Sequence, residues 1–262
     1  MIRSLTTAAT GMAAQQYNLD VISNNLANVN TTGFKSQRAE FQDIIYQTMR
    51  GSGTSVDGTV SQPQALQVGL GTRLAATSSD FSEGSIQVTS NPLDLAIIGN
   101  GFFQVTGPNG QTMYTRDGSF KTNSQGLLVT SDGYPVAGDL TVPSGATSVS
   151  ISSGGVVSAT VAGQSTPQQV GQIQIVTFPN PGGLVREGNN LFSAGGASGQ
   201  PTPTTAGQNG AGSIQSGALE GSNVQVVDAM VQMIEAQRAY EINSKAITTS
   251  SQMMQTLENL VQ

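Results

Sequence analysis

Apolar residues recur every seven positions at both ends of this chain, and that spacing restricts each end to a helix with one adhesive seam. At the start Leu5, Met12, Leu19 and Leu26 repeat, joined three places on by Ala8, Ile22 and Val29, with Gln15 the polar exception. A period of seven keeps one line of a helix facing a neighbour, as coiled-coil packing requires. The pattern predicts a helix over residues 4–28, stopped by Asn28, Asn30 and the Thr31-Thr32-Gly33 turn, because Asn and Gly readily take the left-handed conformation that ends a helix. At the other end Leu219, Val226, Met233, Tyr240, Ile247, Met254 and Val261 lie seven apart without a break. Ser222 or Asn223 is placed to cap a helix over 224–261, which spans about 57 Å at the usual rise. Val224, Val227, Met230, Val231 and Ile234 widen the stripe beyond what one partner covers. The methionines, Met253 among them, suit varied packing environments because their side chains are unbranched.

Between the ends the texture changes to short β-like runs: Leu93 to Ile98, Gly101 to Thr106, Thr112 to Arg116, Gly126 to Thr130, Ser148 to Ser152 and Gly171 to Phe178. Turn signals recur at Asn100-Gly101, Asn109-Gly110, Asp117-Gly118 and Asp132-Gly133, which predicts a mostly antiparallel β domain. The stretches Arg50 to Gln64 and Gly195 to Gly212 hold Gly, Ser, Thr, Gln and Pro with few apolar residues and are expected as extended connections or flexible loops. The fold class is therefore α+β. Long terminal helices form a coiled-coil-like core domain, and a central β domain stands between extended linkers. The divisions are 1–34 (N-terminal helical half), 35–66 (extended linker), 67–218 (β domain with the 195–212 loop) and 219–262 (C-terminal helical half).

Chemistry is narrowed by what the chain lacks. It has neither Cys nor His, so thiolate nucleophiles, zinc–thiolate sites and Ser-His-Asp triads are excluded together. Lys plus Arg is 10 against Asp plus Glu 16, which offers no electrostatic footprint for a phosphate backbone, so nucleic acid is not expected as a partner. Gly69-Leu70-Gly71 and Gly99-Asn100-Gly101 do not extend into a dinucleotide fingerprint or a P-loop. Asp117, Asp132 and Asp139 are read as turn residues rather than an acid pair or a calcium site. Asn30-Thr31-Thr32 matches a glycosylation sequon and is read as a helix stop. Tyr240 is read as an interface residue, and Glu241 with Lys245 as a helix-supporting pair. No catalytic residue, cofactor or metal is assigned. No run approaches the roughly 18 apolar residues of a membrane span, and the start Met1-Ile2-Arg3-Ser4-Leu5-Thr6-Thr7 lacks the form of a cleaved signal.

Several segments resemble a known family. Ile22-Ser23-Asn24-Asn25-Leu26-Ala27-Asn28-Val29-Asn30-Thr31-Thr32-Gly33-Phe34-Lys35 is similar to the N-terminal signature of the bacterial flagellar rod and hook proteins. Ala96-Ile97-Ile98-Gly99-Asn100-Gly101-Phe102-Phe103 and Tyr114-Thr115-Arg116-Asp117-Gly118-Ser119-Phe120 resemble its central segments. Gln237-Arg238-Ala239-Tyr240-Glu241-Ile242-Asn243-Ser244-Lys245-Ala246 resembles its C-terminal signature. Within the family the middle region is short for a hook-type member. Tyr46-Gln47-Thr48-Met49-Arg50-Gly51 and the run to Gln62 look like the extra segment of the distal-rod type, with the proximal-rod type as the alternative.

The resemblance implies a structural subunit of the flagellar distal rod, a helical tubular homo-polymer that passes torque from motor to hook and encloses an export channel. It implies other rod proteins, hook protein, the peptidoglycan and outer-membrane ring proteins and the type III export apparatus as partners. It also implies a place in the basal body spanning the periplasm, reached without a cleaved signal peptide. The expected assembly seam is Leu5, Met12, Leu19, Leu26, Val226, Met233, Tyr240, Ile247, Met254 and Val261. The same residues fit two other arrangements: helices packed on their own β domain, or a secreted β-rich binding or adhesin protein whose helical ends close a small oligomer. An enzyme using paired carboxylates or Tyr has no supporting motif. Because isolated helices owe most of their stability to packing, the dilute subunit is expected to show fast amide exchange at both ends. Strong protection there contradicts this expectation of frayed ends.

Overall fold

The computed structural model describes residues 2–50, 64–138, 140–163 and 166–261. Much of the stretch expected to distinguish the distal-rod type, Gly51 to Gln62, lies outside them, as does Asp139. The chain forms two compact units, the first made of Met1–Leu26, Gln37–Ser78 and Gln225–Gln262, the second of Ala27–Ser36 and Ser79–Val224.

The first unit holds both helices, α1 (Ile2–Ala27) and α2 (Val226–Val261). Both lie within two residues of their expected limits, but α2 is not capped as expected. Ala229 N–H donates to the Gln225 carbonyl, which makes Gln225 the first residue to receive a helical bond. Ser222 Oγ instead accepts from Val224 N–H at 3.3 Å. Asp228 in the first turn opposes the positive end of the helix dipole. Leu219, read as the first member of the C-terminal repeat, belongs instead to a strand, Ala218–Glu220. Glu241 and Lys245 are exposed and do not pair; the ion pairs among the described residues are Lys35–Glu220, Arg38–Glu40 and Arg116–Glu220.

The helices meet antiparallel along a line of small residues. Ser4 Oγ lies 3.2 Å from Ser250 Oγ, and a Cβ on Gly11 would fall 3.1 Å from the Asn243 amide nitrogen. Seven steps forward on α1 thus match seven back on α2. Continuing the register sets Asn18 opposite Ala236 and Asn25 opposite Ala229, and Asn25, Ala229 and Ala236 are buried. The larger heptad residues flank this line: Leu5, Met12, Leu19, Leu26, Met233 and Ile247 are half-buried, while Val226, Tyr240 and Met254 are exposed.

The first unit also contains two β ladders in place of a featureless linker. Gln37–Asp43 pairs with Thr72–Ser79, and Tyr46–Arg50 pairs antiparallel with Leu66–Gly69. The first ladder is tied to α1 where Thr72 N–H donates to Thr10 Oγ1 at 3.4 Å.

The second unit is built on a six-stranded antiparallel sheet ordered Val185–Gly188, Leu191–Ser193, Thr112–Thr115, Phe102–Thr106, Gln174–Thr177, Thr202–Thr205. Both faces are buried. Phe103, Val105, Met113, Ile175 and Leu191 enter one core cluster, while Phe102, Tyr114, Val176 and Phe192 enter the other with Phe178 and Leu184. The run Phe102-Phe103-Gln104-Val105 is nearly continuous in apolar residues for this reason, since a strand covered on both sides has no polar face. Each of the six expected β runs contains a strand. The Gly195 to Gly212 stretch, expected as a connection, contributes the edge strand Thr202–Thr205 and buries Thr204, Ala206 and Ala211. Its polar composition suits an edge, where only one side of the backbone needs a partner.

Gly101, Gly110 and Gly133 adopt positive φ as the turn signals require. Gly118 is glycine for another reason: a Cβ there would fall 1.7 Å from the Leu95 carbonyl oxygen. Gly118→Ala is expected to lower the unfolding free energy by about 1–3 kcal/mol, the usual range for overpacking, as read from urea denaturation. An unchanged midpoint contradicts the close packing of this turn.

Candidate functional site

The second unit carries a charge cluster in its interior. Glu220, at the end of the strand Ala218–Glu220, is fully buried, and its two carboxylate oxygens serve two cations from distant parts of the chain. Lys35 Nζ lies 2.5 Å from Oε1, and Arg116 Nη1 lies 3.2 Å from Oε2. Gly84 N–H adds a bond to Oε1 at 3.0 Å, and Gly33 N–H donates to the Glu220 backbone carbonyl at 2.8 Å. The remaining donors are largely satisfied: Lys35 Nζ reaches the Ser82 carbonyl at 2.7 Å, and Arg116 Nη2 the Gly99 carbonyl at 2.8 Å. The Arg116 guanidinium also lies over the Phe102 ring, 5.4 Å from its centroid. Burial pulls both Lys35 and Arg116 below their ordinary pKa values, and the Glu220 charge pulls both back up.

A third cation extends the arrangement. Arg186 sits between the Phe34 and Phe192 rings, 5.2 and 5.4 Å from their centroids, and donates to the Lys35 carbonyl and to Ser79 Oγ. Phe34 is held so that Gly33 must be glycine: φ is +67°, and a Cβ would meet the Asp117 backbone nitrogen at 2.6 Å. The signature thus seats Phe34 and Lys35 against the Tyr114 to Phe120 segment.

Two more signature residues have local structural work. Asn25, on the last turn of α1, clamps Gln37 with both arms, donating to its carbonyl at 2.7 Å and accepting from its N–H at 2.9 Å. Asn28 Oδ1 accepts from Thr31 Oγ1 at 3.1 Å, which fixes the turn after the helix. Leu26 and Ala239 are half-buried, whereas Asn24, Ala27, Asn30, Arg238 and Tyr240 are exposed. Asp117 is a turn residue as read, accepting from Ser119 N–H at 3.0 Å.

The other feature is the surface of α2. Val227 is 73% exposed, Ile242 69% and Leu260 76%, and Met230, Val231, Ile234, Met253 and Leu257 are each about half exposed or more. Apolar surface on this scale marks an interaction site in a soluble chain. No described helix is long and apolar enough to cross a membrane.

Three family models match in chain order. Residues 5–35 match the flagella basal body rod protein model, 96–159 the flagellar hook protein FlgE/F/G D1 domain, and 215–260 the flagellar basal body rod FlgEFG protein C-terminal model. The chain is also 48% identical over 261 residues to the flagellar basal-body rod protein FlgG of Caulobacter vibrioides, covering 99% of each chain. The chain belongs to the flagellar basal-body rod protein family. It is similarly close to FlgG of Borreliella burgdorferi, 49% identical over 262 residues with 99% of each chain covered. FlgG of Buchnera aphidicola subsp. Schizaphis graminum is 47% identical over 260 residues, with 99% of this chain and 100% of that one covered.

Within this rod-family chain the sequence signature took in Asn25, Gly33 and Phe34 but left Lys35 and Arg116 without a role and overlooked Glu220. The available signal was charge scarcity: only 10% of residues are charged, so a Lys or Arg embedded among aromatic and Gly residues is conspicuous. Glu220→Ala leaves two buried cations without their carboxylate and is expected to lower stability by about 3–5 kcal/mol. A combined Lys35→Met, Arg116→Met, Glu220→Leu chain is expected to lose much less, because no uncompensated charge remains. Equal losses in urea unfolding contradict this assignment.

Proposed function

We propose that the chain is a structural subunit of the flagellar distal rod, and that it self-assembles into a helical tube that carries torque from motor to hook and encloses an export channel. The relatives of matching length support the rod assignment, since each bears the rod protein name. The observation that carries the polymer is the apolar face of α2, which a single chain leaves in water. Residues 251–260 are exposed throughout, so the last three turns of α2 need partners from other chains. Heterologous contacts that do not close into a ring build such a helix of subunits.

Leu5, Met12, Leu19, Leu26, Val226, Met233, Tyr240, Ile247, Met254 and Val261 supply the assembly seam in this reading. The partners are other copies, the other rod proteins, the hook protein, the peptidoglycan and outer-membrane ring proteins and the type III export apparatus. The rod spans the periplasm. A chain with only 10% charged residues suits a shaft turning inside a ring, because it offers few fixed ion pairs to a stationary wall.

Concentrated subunit viewed by electron microscopy is expected to form straight tubes with a central channel; discrete closed oligomers favour the binding-protein alternative. Ile242→Asp places a charge on the exposed face, where the folded subunit tolerates it and an assembled seam does not. The melting temperature is expected to change little, while cells carrying the variant lose rods and motility. Motile cells with full-length rods show that the exposed apolar face of α2 at Ile242 is not a contact between subunits.

A further inference from the structure

The segment Ser213–Asn223 joins every part of the second unit that adjoins a helix. Its strands Ser213–Ser216 and Ala218–Glu220 pair antiparallel with Leu95–Ile98 and Ile86–Val88. The ladder continues on either side of them, with Gly217 N–H donating to Asp94 O, Thr89 N–H to Gly217 O and Gly221 N–H to Ser85 O. Glu220 then takes Gly33 N–H on its carbonyl and the Lys35 and Arg116 cations on its carboxylate. Three residues on, Asn223 Oδ1 accepts from Ser36 N–H at 2.7 Å while its Nδ2 donates to Asp80 O at 2.9 Å. One short segment therefore holds the chain that follows α1, the chain that leads to α2, and the residues around Asp80.

The hydrogen-bond ladders of the six-stranded sheet and of the three-stranded sheet of Ala146–Ile151, Val156–Val161 and Gln168–Gln172 close without it, and its link to them is Ile214, whose side chain enters their core cluster and whose N–H donates to Ser153 O. Their ladders draw only on residues 102–205. Lys35 and Glu220 are 185 residues apart, so the 213–223 segment closes a long loop onto the charge cluster. Long-range contacts of this kind form late and open first when they rest on few bonds. If the segment leaves, Lys35 and Arg116 lose their carboxylate, and burial without it is unfavourable. Residues 33–36 must then come away to hydrate Lys35.

We infer that Ser213–Asn223 is a clasp that opens as one element, with Glu220 as its charge key, and that opening releases the segments adjoining both terminal helices together while the sheets stay folded. The clasp couples the two ends of the chain through the β unit, so neither helix tether loosens alone.

Amide exchange on the full-length chain tests this. In Glu220→Gln the amides of Gly33, Thr89, Gly217 and Gly221 are expected to exchange faster by a shared factor of about 10- to 100-fold, the effect of weakening a charged hydrogen-bond centre. Thr106, Val136 and Ile173, bonded within the sheet region, are expected to keep wild-type rates. A uniform acceleration across all seven overturns the clasp in favour of a general stability role, and no acceleration at Gly33 overturns the coupling. Should the variant not fold, the wild-type chain in increasing sub-denaturing urea serves equally. The four clasp amides are expected to converge on one opening reaction before the sheet amides, and convergence of all seven on global unfolding overturns the proposal.

Discussion

A single carboxylate serving two buried cations is the constraint on which the second unit depends. Transfer of an ion from water to a protein interior is unfavourable by several kcal/mol even after relaxation, so Lys35 and Arg116 are tolerable inside only with Glu220 and the surrounding carbonyls in place. Such a cluster is a poor source of net stability, because well-packed apolar residues of similar volume commonly do as well or better. Its value lies in specificity. The arrangement is satisfied only when residues 33–36, the end of the strand Thr112–Thr115 and the strand Ala218–Glu220 lie together in one register, and a shift of any of them strands a charge.

The first unit uses a different logic. Its helices touch through Ser, Gly, Asn and Ala, which allows close approach and leaves the larger apolar residues on the flanks or facing water. Within one chain this is an inefficient use of Val, Ile and Met. In the proposed polymer it is an ordered division: small residues join the two helices of a subunit, and large ones remain for neighbours. The β unit does the reverse, covering its aromatic residues within the chain. Phe81, Phe102, Phe178 and Phe192 stack edge-on with centroids 5.3 to 5.9 Å apart.

The helices and the main strands were legible because period seven and short apolar runs between Gly-containing turns are strong physical signals. The contact line between helices was not. It lies beside the heptad residues, on Gly11, Ala229, Ala236 and Ser250, whose side chains carry too little apolar area to register in a hydrophobic pattern although closeness of approach makes them the contact. The edge strand Thr202–Thr205 was hidden by its polar composition, and Asn223 resembled a helix cap while its amide is engaged with Ser36 and Asp80. Glu220 was illegible for a deeper reason: its partners are 104 and 185 residues away, and no local pattern reports a contact made across most of the chain.

The antiparallel register of the two helices also governs where the chain can change length. One residue added to α1 or α2 rotates everything beyond it by about 100° around the helix axis, turning Gly11 or Ala236 away from its opposite number and bringing bulkier neighbours into the seam. A change of one residue in the Asn209-Gly210 turn disturbs nothing comparable, since Asn209 and Gly210 are exposed and a Cβ on Gly210 would meet no atom within 4 Å. The helices therefore act as fixed rulers, and a one-residue change in length is accommodated far more readily in an exposed turn of the β unit such as Asn209-Gly210.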